Sequence, residues 1–421
     1  MDFARSQRLI VAAAIAGLLV RLAFAFLYWH DKPLTHDERE YLALAESVSA
    51  GRGFTYAPDH ETGTAQQFGR APAYPLFLAV VGGGGGGHAT TPASVKVAQA
   101  MVGALGVWVI GLLARRAAGP HAGVAAAATA SVYPPLVWIC AYVLSEALYS
   151  TVALIAILFL DQALDRTPQS GNGSAAPGGT APAMAAGLAT GVAILVRPAM
   201  LFFVPLAALW LVAHRRLALA ASFLLCATLI VAPWTFRNVR VYDRFVLVAS
   251  EGGVTFWTGN HPLARGEGDL AANPDIKAAE LAFRAAHPGA SAEELEPLYY
   301  REALGYITTH PGWWLLLVLK KAFYTVVPAG PSYTLHSTLY RVSSIASYVI
   351  LLPFAVFGIR AWLRAPHRPE ALFLLAASAV IVCLLFFPQE RFRIPVIDPT
   401  LIVCAGIWYG SRVQTTSRFD C

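Results

Sequence analysis

Asp37 and Glu38 open the segment HDEREYLALAESVSAGRGF, from His36 to Phe54. Tyr41, Leu44, Ala45 and Val48 recur at helical spacing, and Gly51 is placed to stop the helix, so both carboxylates fall in its first turn. Two kinds of chemistry are open to them. Thr35 with Glu38 matches a capping box, and Asp37 could cap as well. A carboxylate at that position could instead take a proton from a substrate hydroxyl. Arg70 begins RAPAYPLFLAVV, where two prolines keep the backbone irregular before an apolar run. It either anchors that run at an interface or holds a phosphate by paired charge-assisted hydrogen bonds. Glu146 in YVLSEALYS and Arg197 in ILVRPAM sit at the edges of apolar hairpins, where an ionisable residue is a functional candidate. Arg391 and Arg393 in PQERFRIPVIDP make a third basic site. Arg21, inside an apolar run, is expected to snorkel or to pair with an acid.

The elements that position these residues are membrane spans. Of 421 residues 57% are apolar and 13% are charged, against about 25% charged in soluble domains. The charges are unevenly spread: Leu9–Val20, Ala122–Ala141, Ala147–Leu160, Leu217–Phe236 and Ala371–Pro388 hold none. Several of these runs approach the roughly 20 residues that cross a bilayer. A soluble enzyme, a disulfide scaffold and a disordered chain are excluded. The net charge of +6 then reflects loops and anionic lipid, and nucleic acid is not an expected partner. The five cysteines form no CxxC spacing and suggest neither disulfides nor a zinc site. The first apolar run is too long for a signal-peptide core and is read as a span.

Ten spans fit best, at 8–29, 93–114, 122–140, 145–164, 183–197, 200–213, 217–235, 342–362, 370–388 and 395–411. With both termini cytoplasmic, Arg5, Arg8, Arg115, Arg116, Arg166, Arg215, Arg216, Arg360, Arg364, Arg368, Arg412 and Arg418 all fall inside. Residues 312–330 are apolar but carry Lys320 and Lys321 centrally, and are read as an interfacial helix with Trp313 and Trp314 at the headgroups. The expected organisation is an N-terminal transmembrane module (1–235) with a first outer loop at 30–92, an outer loop with the interfacial helix (236–341), and a C-terminal module (342–421). The loop 236–341 is expected as a small helical cap cut by Pro274, Pro288 and Pro297. Residues 165–182 and Gly82–Gly87 read as flexible patches. Under this topology Asp37, Glu38, Arg70, Glu146, Arg197, Arg391 and Arg393 all reach the outer membrane boundary. A lipid-linked phosphate is the natural client of such a site. No P-loop, HExxH or GxSxG motif is present.

The order of short motifs carries a resemblance. The Asp37–Glu38 pair is followed by Tyr-x-x-Leu-Ala, Gly-x-Gly-Phe, Arg-x-Pro-x-Tyr-Pro at Arg70–Pro75, Ser-Glu-x-Leu at Ser145–Leu148 and Arg197–Pro198. Pro233–Trp234, Arg237–Asn238, Gly259–Asn260 and Arg391-x-Arg-x-Pro come later. From about residue 20 to 400 the chain resembles the membrane-integrated GT-C glycosyltransferases, nearest the bacterial group related to protein O-mannosyltransferases and lipid A aminoarabinose transferases. The resemblance implies an all-α polytopic membrane protein of GT-C type, with 10–12 transmembrane helices and outer-face loops bearing short helices. It implies a sugar moved from a polyprenyl-phosphate donor to an acceptor hydroxyl at the outer face of the cytoplasmic (inner) membrane. Asp37 would be the catalytic carboxylate with Glu38 beside it and Glu146 as a second acid. Arg70, Arg197, Arg391 and Arg393 would serve the donor phosphate. Direct displacement with inversion is expected, without a cofactor; no metal is assigned, although the three carboxylates are of a type that could bind one. The family often carries a sizeable C-terminal soluble domain, whereas only about ten residues follow the last span here. The acceptor class, whether glycan, lipid or protein, therefore stays open. The rival reading is a transporter or flippase for an anionic or lipid-linked substrate.

Overall fold

The computed structural model describes residues 1–58, 65–67, 69–164, 179–363 and 370–419. The expected linker at 165–182 falls largely outside the described residues, as do Arg166, Arg364 and Arg368.

The first half runs α1 (Phe3–Ala23), a π-turn at Phe24–Tyr28, α2 (His36–Ser49), β1 (Thr55–Pro58), β2 (Ala65–Gln67), α3 (Ala73–Val80), α4 (Ala93–Ala118), α5 (Pro120–Val132), α6 (Pro134–Trp138), α7 (Glu146–Ala163), α8 (Thr180–Val196), α9 (Phe203–Ala213) and α10 (Leu217–Tyr242). The second half runs α11 (Gly252–Asn260), α12 (Pro274–Ala285), α13 (Ala292–Thr309), α14 (Pro311–Val326), α15 (Thr338–Leu363), α16 (Glu370–Leu385), α17 (Glu390–Arg393) and α18 (Ile397–Phe419). The two short strands pair antiparallel, Thr55 with Gln67 and Pro58 with Ala65.

The ten expected spans correspond to α1, α4, α5, α7, α8, α9, α10, α15, α16 and α18. Among the described residues, five helices are long and apolar enough to cross a membrane: Phe3–Tyr28, Ala93–Ala118, Glu146–Ala163, Leu217–Tyr242 and Thr338–Leu363. Thr180–Val196, Pro198–Ala213 and Glu370–Leu385 are shorter apolar helices. The chain is a multi-pass membrane protein. The third expected span is shorter than read, because Tyr133 turns extended before Pro134 and Pro135, and the helix stops at Val132.

α1, α4, α5 and α18 pack together, α7 joins α4, and α8 lies between α7 and α10. Small residues set the closest seams, as they do where lipid supplies no hydrophobic drive. A Cβ at Gly191 would meet the Ala227 carbonyl and Ile230 across the α8–α10 seam. Arg21 does not snorkel, and among the described residues it pairs with no acid. It is buried, and donates to the carbonyls of Gly17 at 3.0 Å and of Ala130 and Ser131 at 3.3 Å. It thereby satisfies carbonyls at the end of α5, which Pro134 and Pro135 leave without helical donors.

Between α10 and α15 a second small core forms from Trp257, Ile276, Leu295, Tyr299 and Ala303. Pro274 starts α12 at its first turn, where no N–H is needed. Pro297 does not cut the chain as expected but lies inside α13. The carbonyl it leaves free, that of Glu293, accepts from Arg244 at 3.3 Å. Gly82–Gly87 packs by the end of α2, where a Cβ on Gly84 would meet Ser49 and Ala45.

Candidate active site

Thr35 and Glu38 form the capping box of α2, with Glu38 accepting from the Thr35 N–H at 2.8 Å. The cap being taken by Thr35, the Asp37 side chain in the first turn is free to face away. It receives Arg391 Nη1 at 2.8 Å on one oxygen and Arg70 Nη2 at 3.4 Å on the other. Asp37 keeps 29% of its side-chain surface and Arg391 31%, so the pair is reachable. Burial alone would raise the Asp37 carboxyl. The Arg391 guanidinium, then that of Arg70, outweighs this and holds it down at about 2.

Arg70 is enclosed by acids. Glu40, one turn after Asp37, takes its Nη2 and its Nε, the latter at 2.8 Å. Glu251 lies 3.3 Å from the same Nε, and the guanidinium covers the Tyr41 ring at 4.8 Å. Enclosure in the fold raises the Glu251 carboxyl; Arg70 opposes this, and Glu40 and Asp37 add to it.

The sequence motifs around Glu251 have mechanical roles. Asn238 donates to the carbonyls of Val246 at 3.1 Å and Val248 at 3.3 Å, and Trp234 Nε1 donates to Val248 at 2.8 Å. Ser250, next along, donates its N–H to the Gly69 carbonyl at 2.8 Å, which sets Glu251 beside Arg70. Gly259 and Asn260 act on the other wall. A Cβ at Gly259 would collide with the Phe386 carbonyl. Asn260 donates to Leu385 O at 2.8 Å and accepts from Trp314 and Lys321 at 3.0 Å each. Lys321 also reaches the carbonyls of Leu384 at 3.2 Å and Leu385 at 3.4 Å. Its place mid-helix in α14 is thus explained by the α16 terminus it caps.

That terminus leads into the turn bearing α17. Arg391 extends its Nε to Gln389 at 2.8 Å and its Nη2 to Asp269 at 3.4 Å, and Gln389 donates to Asp269 at 3.2 Å. Arg393, two residues on, is rotated by about 200° on a helix and faces inward. It is 4% exposed, donates to Asp398 at 2.9 Å, and lies over the Tyr348 ring at 4.0 Å. Tyr133 donates to the same carboxylate at 3.2 Å. The structure therefore does not bring Arg393 to the Asp37 cluster.

Glu38 also turns away from it. It is 1% exposed, and its second oxygen accepts from the Val143 N–H at 2.8 Å. This pins the loop before α7, which Gln99 holds from below through Cys140 O at 3.2 Å and Tyr142 O at 2.6 Å. Glu146, first residue of α7, is buried against Arg197 at 2.6 Å, and its other oxygen has no hydrogen-bond partner among the described residues. The Arg197 guanidinium lies over the Phe392 ring at 4.8 Å, and that of Arg391 near the same ring at 5.5 Å. The Glu146–Arg197 pair is thus joined to the Asp37 cluster through one phenyl ring. Among the described residues no group of three or more His, Cys, Asp or Glu is arranged to hold a metal ion.

Glu40, Glu251, Asp269 and Gln389 escape a sequence reading. Glu40 had a signal, being three residues from Asp37 on one helical face. Glu251 and Asp269 had none, since their positions depend on how the loop 236–341 folds back. Asp398 is a lone acid in an otherwise apolar run.

No protein-family model and no curated protein matches the chain. Solved structures do. The oligosaccharyltransferase of Archaeoglobus fulgidus, tethered with an acceptor peptide, is matched over 97% of this chain at TM-score 0.58 and 15% identity. The same enzyme, AglB, with an inhibitory peptide and a dolichol-phosphate is matched over 96% at TM-score 0.56. The chain spans about half the length of that enzyme, 49–50%. ArnT from Cupriavidus metallidurans bound to undecaprenyl phosphate is matched at TM-score 0.41, too loose for a shared fold to be argued from it. The fold is of the GT-C type.

Proposed function

We propose that this chain is an integral-membrane glycosyltransferase that moves a sugar from a polyprenyl-phosphate donor to an acceptor hydroxyl. The observation that carries the reading is one ionised, reachable carboxylate, Asp37, held between two guanidinium groups in a GT-C fold. A dolichol-phosphate in the A. fulgidus enzyme supports the donor class. The charge bias supports a site at the outer face of the cytoplasmic membrane: Arg115 and Arg116 end α4, Arg215 and Arg216 follow α9, and Arg360 ends α15, whereas Glu146 starts α7 and Arg197 follows α8.

In this reading the acceptor hydroxyl attacks the anomeric carbon while Asp37 takes its proton. The bond from that carbon to the phosphate oxygen breaks, and the electron pair leaves with the phosphate. One displacement inverts the centre. Arg391 stabilises the departing phosphate, and Arg197 adds positive field across Phe392. Arg70 orients Asp37 and is itself held by Glu40 and Glu251. Glu146 orients Arg197. Glu38 and Arg393 are struts.

The purified protein in lipid nanodiscs, given polyprenyl-phosphate-linked hexoses and pentoses together with a cell-envelope extract as the source of acceptor hydroxyls, tests this by release of polyprenyl phosphate. Release with at least one donor is expected. Binding and movement of donors across vesicles without any cleavage would favour a flippase instead.

A further inference from the structure

Asp37 and Asp269 both hold Arg391, but they are anchored differently. Asp269 is fixed from behind: one oxygen accepts the N–H groups of Ala271 at 3.0 Å and Ala272 at 3.2 Å, and Gln389 donates to the other at 3.2 Å. Among the described residues, Asp37 has only the two arginines as side-chain partners. Each of the three guanidinium nitrogens of Arg391 already meets a protein oxygen, namely Asp37, Asp269 and Gln389. A phosphate arriving at that edge meets carboxylates of its own sign. Of the two, the one able to give way is the loosely anchored Asp37.

Resting on the donor reading above, we infer that the Asp37–Arg391 ion pair is exchanged when the donor binds: the lipid phosphate takes the Nη1 position, and Asp37 is released as the base. Asp269 and Gln389 keep the guanidinium in orientation throughout. In the resting state Arg391 depresses the basicity of Asp37, so the carboxylate is a weak base until a donor is present. The acceptor proton then moves to a carboxylate that has lost its strongest partner. Activation of the acceptor is thereby tied to donor occupancy. After the exchange Arg70 still faces Asp37, with His36 and Glu251 nearby.

Equilibrium binding of undecaprenyl phosphate to the purified full-length chain tests this. Asp37→Asn removes the competitor with little change of shape, and should bind roughly tenfold tighter than the wild type, the size expected for one charged contact released. The same change made on Arg391→Gln should give no tightening. Thermal unfolding of each variant checks that the fold is intact. Unchanged or weaker binding by Asp37→Asn would overturn the exchange alone. So would equal tightening without Arg391, which would reflect only the removal of a negative charge. No binding by the wild type would overturn the donor reading together with the exchange.

Discussion

Arg391 and Arg393 share one short helix and belong to two different networks. Arg391 meets Asp37 and Asp269 at a partly open surface, and its partners come from α2 and the 261–273 loop. Arg393 meets Asp398, Tyr133 and Tyr348 in the interior, where Asp398 is 0% exposed. The same division recurs in α2, where Asp37 faces the open cluster and Glu38 is sealed on Thr35 and Val143. In both pairs the buried member fixes the backbone that presents the open one. A charge with a closed set of partners serves the fold; a charge whose partners a ligand can replace is available for chemistry.

The largest expected effect lies on the buried side. Arg393→Ala leaves Asp398 buried without a counter-charge, and should cost about 3–5 kcal/mol of stability. Detergent-solubilised protein should show this as a lowered unfolding midpoint and poor yield. A midpoint equal to wild type would break the distinction. Arg391→Ala should do the reverse, with stability little changed and donor binding weakened by about 1.5–3 kcal/mol, or roughly 10–150-fold in donor KM. Lys at 391 should rescue only part, lacking the planar fork. Glu38→Gln should cost about 1–3 kcal/mol of stability, since its one carbonyl oxygen can accept from the Thr35 N–H or the Val143 N–H but not both, and should leave turnover within a few-fold. A large loss of turnover at unchanged stability would move Glu38 into the reacting set.

The smallest effect concerns acid. The folded-state pKa of Asp37 lies at about 2, below its ordinary 3.8, so its ion pairs stabilise the fold above the ordinary value and lose that contribution as pH falls through about 2. Between pH 5 and pH 2 the wild type should therefore lose a contribution that Asp37→Asn lacks. Parallel pH profiles of the unfolding midpoint in the two proteins would contradict the pairing.

The sequence made the spans legible because apolar runs report burial in lipid directly. Proline placement corrected only their ends, as at Pro134. Convergence of Asp37, Arg70 and Arg391 could be expected from topology, since alternate helix ends must share one side. The split within each pair could not, because it depends on helical phase in α2 and in a four-residue helix. The partners Glu251 and Asp269 depend on a folded loop whose clamps, Asn238 and Asn260, carry no sign of their contacts in the sequence.

The central claim is that Asp37 is the base of a polyprenyl-phosphate-dependent sugar transfer, and Asp37→Asn tests it most directly. Asn caps a helix about as well as Asp but cannot take a proton at neutral pH. With donor and acceptor saturating, or in cells lacking the native gene with the surface glycan as readout, transfer should fall at least about 100-fold at equal expression and unfolding midpoint. Transfer by Asp37→Asn at the wild-type rate would make Asp37 a positioning residue and leave the account without its base.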